Sequence, residues 1–452
     1  MKILPFLVFT VFLMGCQPAP WNKTLPLAAE LGSPRGYQMA RAIIHLHSPL
    51  SYDACDAKTS PEQCLEDLRN GLCLNHVDLA ALTDHPSHMA ETEFSGLHLY
   101  KDGDQRVIEG GLPIGNRFSC SDGHRVLVMA GFEGQLLALG MTHHLDPDSQ
   151  VRIGLYGGDT AALVTRLQTE TDAIVVVPHT ESRTDAHLEE LNPQGVEAFN
   201  LHALVNPKMR KDFLGLDPFD GLLDLLVDLA DIYGSHQTDL AFMRFWKLSS
   251  VYGEKWNRLL AKKGLVVGYA GNDSHQNFFS GKASDGDRVD AHRRLIRWVT
   301  HYLLVTAKEI DGVKDALRHG RSWMVFEGLG SPQGMDFYGK NSLVTVEMGG
   351  TLTYQPNQTV LHVELPHLHA DSPQSTVSPV VILRLKKIDT TGAETVVATG
   401  TQQSIDFSVM EPAIYRVEVS IIPLHLEKYL NYKKKKANSE TVWALSNPIF
   451  VQ

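Results

Sequence analysis

From about residue 41 to residue 335, short apolar runs alternate with stretches of helical periodicity, and this alternation restricts the fold more than any other property of the chain. It predicts strands at 42–46, 77–82, 126–132, 173–177, 196–199, 266–270 and 322–326. Helical periodicity falls at 159–168, 219–232 and 252–263. Ser60-Pro61-Glu62-Gln63 has the form of a capping box with proline in the first turn. Thr306-Ala307-Lys308-Glu309 is a second such box, opening a helix that runs to about His319 before Gly320. Strands separated by helices are joined by crossovers, so the expected sheet is parallel, either open or closed into a barrel.

From about residue 339 the helical periods vanish. Segments 360–365, 380–385, 395–398 and 415–421 alternate in strand fashion between Gly, Pro, Asn and Asp. They predict a small C-terminal antiparallel β-sandwich over 339–452, after an α/β domain over 41–338.

The amino terminus reads as an export signal. Lys2 precedes an apolar run over 3–14, too short to span a bilayer, and Leu13-Met14-Gly15-Cys16 follows. This segment resembles the bacterial lipobox. The resemblance implies removal of residues 1–15, lipidation of Cys16, and a membrane-anchored protein of the bacterial cell envelope. Two or more acyl chains hold a protein stably on a bilayer. Residues 16–40, rich in Pro, Ala, Gly and Leu, read as a tether. Cys55, Cys64, Cys73 and Cys120 form an even set, as expected of two disulfides in an exported chain, with three pairings open. None is placed in a C-x-x-C pair, so a zinc-thiolate site is not expected. The net charge of −11 argues against nucleic acid as a partner, and the lysine run at 433–436 reads as a solvated loop.

Metal-ligand residue types recur where the predicted strands end. His45 and His47 close the first strand, and an i, i+2 pair points to one side of a strand. Thr83-Asp84-His85 closes the second, Glu133 the third, and Pro178-His179 the fourth. The strand around Glu197 is followed by His202, and Asn272-Asp273-Ser274-His275 closes a later one. A lone histidine among the 21 is an ordinary surface or hydrogen-bonded residue, and His76, His88, His98 and His124 read that way. The joint pattern differs, because functional groups gather at the carboxyl ends of parallel strands.

His45-Leu46-His47, Thr83-Asp84-His85, Gly131-Phe132-Glu133, Pro178-His179 and Asn272-Asp273-Ser274-His275 resemble, in order, the motif series of the PHP (polymerase and histidinol phosphatase) family. The resemblance implies a distorted (β/α)7 barrel, two or three divalent ions (Zn, Mn or Fe), and hydrolysis of phosphoesters. It implies as metal ligands His45, His47, Asp53, His85, Glu133, His179, Asp273 and His275, with Glu133 bridging two ions. For the family's remaining histidine, His143 and His144 are adjacent candidates, and His144 is carried forward.

Imidazole with carboxylate suits Zn, Mn or Fe(II). Two such ions about 3.5–4 Å apart can share a bridging hydroxide and clamp an ester oxygen. The expected substrate is a phosphorylated small molecule. Asp84 is expected to orient a ligand imidazole, and Arg183 to neutralise a phosphate oxygen unless an ion pair with Glu181 or Asp185 occupies it. The residue pattern leaves two rivals. One is an amidohydrolase-type C–N hydrolase, whose pattern has a single aspartate at the last ligand strand and often a bridging lysine. The other is a non-catalytic surface lipoprotein that binds metal or ligand.

Overall fold

The computed structural model describes residues 21–452 except 57, 222–224, 226–236, 278, 280, 374, 402 and 431–436. The signal segment 1–15, Cys16, most of the helix expected over 219–232 and the lysine run at 433–436 lie outside the described residues.

The chain is a mixed α/β protein. Its first part carries β1 (Gln38–Ile43), β2 (Leu79–Leu82), the hairpin β3 (Gln105–Glu109) and β4 (Leu112–Ser119), β5 (Arg125–Ala130), β6 (Phe132–Glu133) and β7 (Leu137–Leu139). Then follow β8 (Ile174–Val177), β9 (Gly195–Asn200), β10 (Val267–Gly271), β11 (Thr300–Val305) and β12 (Ser322–Val325). β2, β8, β9 and β10 are buried at every position, which is why β2, β8 and β10 read as unbroken apolar runs, while β9 carries Glu197 and Asn200 inward. The helix Pro61–Leu74 starts as expected, with Pro61 in its first turn and the Ser60 side chain accepting the Gln63 N–H at 3.2 Å. The second box differs. The helix is Ile310–Arg318, capped from Glu309 with no side-chain hydrogen bond, so Thr306 lies outside it.

Two sheets hold this part together. One runs β12-β11-β1-β2-β5-β4-β3, the other β10-β9-β8-β7-β6. β1, β2 and β5 are mutually parallel, as are β8, β9 and β10. The all-parallel expectation needs correction at β11, antiparallel to β1 and β12, and at β7, antiparallel to β6 and β8. The two sheets touch beyond their strand ends. Leu46 bridges Ser274 in parallel sense, and Asp273 N–H donates to the His45 carbonyl at 3.0 Å. Across the other seam, Glu133 N–H donates to the Asp84 carbonyl at 3.2 Å.

The last part contains an antiparallel sheet of Thr345–Glu347, Asp336–Lys340, Val360–Glu364 and Ile405–Ser408. Beside it are Val380–Ile388, Glu394–Gly400, Ala413–Ile422, Thr441–Ser446 and Ile449–Val451. Phe337, Leu361 and Val363 of the first group share an apolar core with Leu383, Val417 and Val419 of the second. This second group is continuous with the large sheet, because Thr441–Ser446 pairs with β12, Trp323 opposite Ser446. Asn447 then bonds the Gly268 backbone in both directions, accepting its N–H at 2.8 Å and donating to its carbonyl at 3.2 Å.

The stretch from Trp21 onward, expected as tether, is packed against the fold. Leu25 and Leu31 are buried, and the Trp21 indole donates to Asp239 at 2.8 Å. The disulfides join Cys55 to Cys64 and Cys73 to Cys120. Among the described residues no helix is long and apolar enough to cross a membrane.

Candidate metal centre

The carboxyl ends of β1, β2, β6, β8, β9 and β10 deliver one cluster of side chains. His45 and His47 follow β1, Glu133 closes β6, His179 follows β8, and Asp273 and His275 follow β10. His179 and Asp273 both hold left-handed backbone, each at φ 51°. That conformation is uncommon for a residue with a Cβ and is held where surrounding structure fixes it.

His45, His47, Glu133 and Asp273 present ligand atoms that all lie within 4.8 Å of one another, and all four residues are buried. Glu133 Oε2 is 3.2 Å from His45 Nε2 and 3.3 Å from His47 Nε2, whereas its Oε1 is 3.4 Å from His179 Nε2. Asp273 divides in the same way. Its Oδ1 is 3.2 Å from His47 Nε2, and its Oδ2 is 3.3 Å from His179 Nε2 and 3.2 Å from His202 Nδ1. Two further groups overlap the first: His47, Asp53 and His85, and His202, Asp273 and His275. In the former, His85 Nε2 is 3.0 Å from Asp53 Oδ2.

Burial works to raise the carboxyls of Glu133 and Asp273, and the surrounding imidazoles outweigh it, His45 foremost, holding both well below the carboxylate range. The residues fit divalent ions on two counts. His45 Nε2 is buried without a hydrogen-bond partner and faces both carboxylates. The donor set is imidazole and carboxylate without thiolate, which suits Zn, Mn or Fe.

The ligands are held from behind. Glu197 of β9 accepts from His45 Nδ1 at 2.6 Å, from the His179 N–H at 2.9 Å and from Asn200 Nδ2 at 3.0 Å. Gly271 makes room for it, since a Cβ there would sit 2.0 Å from Glu197 Oε1. Glu181 meets His179 Nδ1 at 3.0 Å. Lys255, on the helix Ser250–Lys263, donates to the carbonyls of Thr180, Glu181 and Arg183 and fixes the loop after His179.

Sequence reasoning singled out the β9 end but gave Glu197 and His202 no role, and it gave Lys255 none. The signal for His202 was its place two residues past a buried strand, where His179 also stands relative to β8.

Three expected residues take other positions. His144 is not brought into the cluster: its Nδ1 meets Tyr156 Oη at 3.1 Å and its Nε2 the Thr92 carbonyl at 2.9 Å. The reason is the antiparallel β7, which returns the chain to the amino-terminal end of β8, where Thr142 N–H bonds the Thr171 carbonyl. Asp84 bonds the loop after β1 rather than an imidazole among the described residues. It accepts the Ser48 N–H at 2.6 Å and hydroxyl at 2.7 Å, bracing the turn after His47, and burial pushes its carboxyl up to about 6. Arg183 lies beside His179 and His202 on the wall of an adjoining cleft. Its acidic neighbour is Asp159 at 3.5 Å, while Asp185 pairs with Arg258.

No family model matches the chain, and no curated protein matches it. Among solved structures it is similar to a two-domain protein from Bacteroides vulgatus that contains a predicted PHP-like metal-dependent phosphoesterase. The identity is 10%, 89% of this chain and 95% of that chain are covered, and the TM-score is 0.34, a likeness too slight to argue from.

Proposed function

We propose that this chain is a metal-dependent hydrolase of PHP type that cleaves phosphoesters at a centre of two or three divalent ions, at one end of a distorted (β/α)7 barrel followed by a β-sandwich. The observation that carries the reading is the division of labour within two buried carboxylates. Glu133 and Asp273 each turn one oxygen to the His45 and His47 side and the other to His179. Such an arrangement would let two adjacent divalent ions share both carboxylates, which supports the reading. Divalent ions held there would supply Lewis acidity and lower the pKa of water towards neutrality.

The chain's own residues bind and orient. Asp53 and His85 extend the cluster on the His47 side, His202 and His275 on the Asp273 side. Glu197 fixes the tautomer and direction of His45, as acceptors behind metal-bound imidazoles do. Arg183 offers a guanidinium to an anionic substrate, which Lys255 keeps in place through the Arg183 carbonyl. Leu46–Ser274 and Asp84–Glu133 contacts between the sheets support the barrel.

We place the mature protein on the bacterial cell envelope, anchored through Cys16. Two disulfides accord with an oxidising compartment. Metal analysis of the purified chain, paired with a phosphoester panel, tests the hydrolase. Fewer than two bound equivalents, or no hydrolysis by metal-loaded protein, would defeat it. Release of Cys16→Ala from the membrane fraction tests the anchor.

A further inference from the structure

A cleft of about 440 Å³ opens beside the metal cluster, with His179 and His202 in its wall. Its charge inventory is short. Among the described residues that line it there is no carboxylate, and Arg183, whose Nη1 lies 3.5 Å from Asp159 Oδ2 outside the lining, is the one permanent cation. Arg183 keeps its Nε without a hydrogen-bond partner, while its Nη2 donates to Gln135.

Three of the oxygens that the cleft's polar side chains offer are engaged with the protein. Gln135 Oε1 takes Arg183 at 2.6 Å, and Ser182 Oγ donates to the His179 carbonyl at 2.9 Å. Asn206 Oδ1 caps the helix Pro207–Asp212 through the N–H groups of Lys208 and Met209.

The rest of the wall is apolar and in register with the ligands. Pro178 immediately precedes His179, and Ala203 immediately follows His202. Met209 and Phe213 stand four residues apart, on one face of the turn where Phe213 N–H bonds the Met209 carbonyl at 3.1 Å.

Resting on the phosphoesterase reading above, we infer that the ester taken by this site carries one anionic group and an uncharged, apolar leaving group, aryl or short alkyl, seated between Pro178, Ala203, Met209 and Phe213. A polyol leaving group would set hydroxyls against these four apolar side chains, which offer them no partner, and that is costly. A nucleoside diphosphate or triphosphate would bring, beyond the group taken at the metal centre, further negative charges to a single guanidinium that already has Asp159 at 3.5 Å.

The test compares benzyl phosphate with glycerol 1-phosphate, both alkyl esters, on the purified metal-loaded full chain. The inference expects kcat/KM to favour benzyl phosphate by about tenfold or more, the scale on which apolar pockets discriminate. Phe213→Ser and, independently, Met209→Ser should each shrink that ratio, mainly through KM for the benzyl ester. Calorimetry supplies a readout free of turnover. Benzylphosphonate should bind about tenfold more tightly than methylphosphonate, with a negative heat-capacity change that either serine variant diminishes. Equal or reversed preference in wild type, or a preference indifferent to both substitutions, overturns the inference and leaves the phosphoesterase reading standing. Hydrolysis of neither ester, with no phosphonate bound, overturns both.

Discussion

His45 Nδ1 and Glu197 Oε1 lie 2.6 Å apart, both side chains wholly shut off from solvent. The contact ties the first ligand strand to β9, a strand that itself carries no residue of the four-membered ligand group. Because Glu197 also receives the His179 N–H, one carboxylate sets two ligands on different strands. Glu197→Gln keeps the shape and should still fold, but it removes the charge that orients His45. Metal affinity should fall about 10–100-fold in a chelator competition. Wild-type affinity in the variant would show that Glu197 does not govern His45.

His202 and His144 make opposite predictions. His202→Ala should lower metal content by at least part of one equivalent, together with Asp273→Ala and His45→Ala, which should lose more. Glu133→Gln should lose at least one ion, because it halves the charge shared by two positions. His144→Ala, whose ring bonds Tyr156 and Thr92 instead, should keep the full complement. Elemental analysis of folded variants decides, and metal loss in His144→Ala with retention in His202→Ala would reverse the assignment.

His301 of β11 accepts the Ala270 N–H of β10 at 2.9 Å through Nε2, joining the two sheets by a side chain. Burial holds this imidazole down at about 4. The folded value lies below the unfolded one, near 6.5, so the unfolded chain binds the proton more readily in between. The stability concerned is present above pH 6.5 and is lost as pH falls towards 4. Between those limits His301→Gln, which does not titrate, should lose about 3 kcal/mol less stability than wild type in denaturant unfolding. Parallel pH profiles would refute this.

The two disulfides should differ in what their removal costs. Cys73–Cys120 spans 47 residues and Cys55–Cys64 spans 9. Loop-closure entropy assigns about 4 kcal/mol to the longer and about 2.5 kcal/mol to the shorter. Cys55 also stands two residues from Asp53, and Gln276 N–H bonds the Ala54 carbonyl next to His275. Paired serine replacement at 55 and 64 should therefore weaken metal binding as well as stability, whereas replacement at 73 and 120 should act on stability alone. Thermal unfolding and metal titration of both variants separate these outcomes.

The ligand pairs were legible in the sequence because strand alternation and position at a strand end are both local properties. His45 and His47 needed only a period of two, and the wholly buried β8 and β10 announced themselves as apolar runs. What was not legible depends on chain direction. β7 is three residues long, and nothing in Leu137–Leu139 says that it runs backwards, yet that reversal removes His144 from the centre. β11 was missed altogether, although its Tyr302-Leu303-Leu304-Val305 run is apolar, because it pairs antiparallel to β1 from far along the chain. Glu197 and Lys255 act through partners remote in sequence, and a carboxylate inside a strand or a lysine on a helix carries no local mark of that.

The join between Trp323 and Ser446, reinforced by Asn447 on Gly268, bears on how such a chain can be cut or recombined. Cleavage near residue 339 would not release a self-sufficient α/β part. It would bare the flank of β12 as an open hydrogen-bonding template, prone to recruit other chains. It would also withdraw the amide that pins the strand delivering Asp273 and His275. The terminal hundred or so residues thus behave as a keystone of the α/β part rather than as cargo, and shuffling them between proteins would require their docking strand and that asparagine to travel with them.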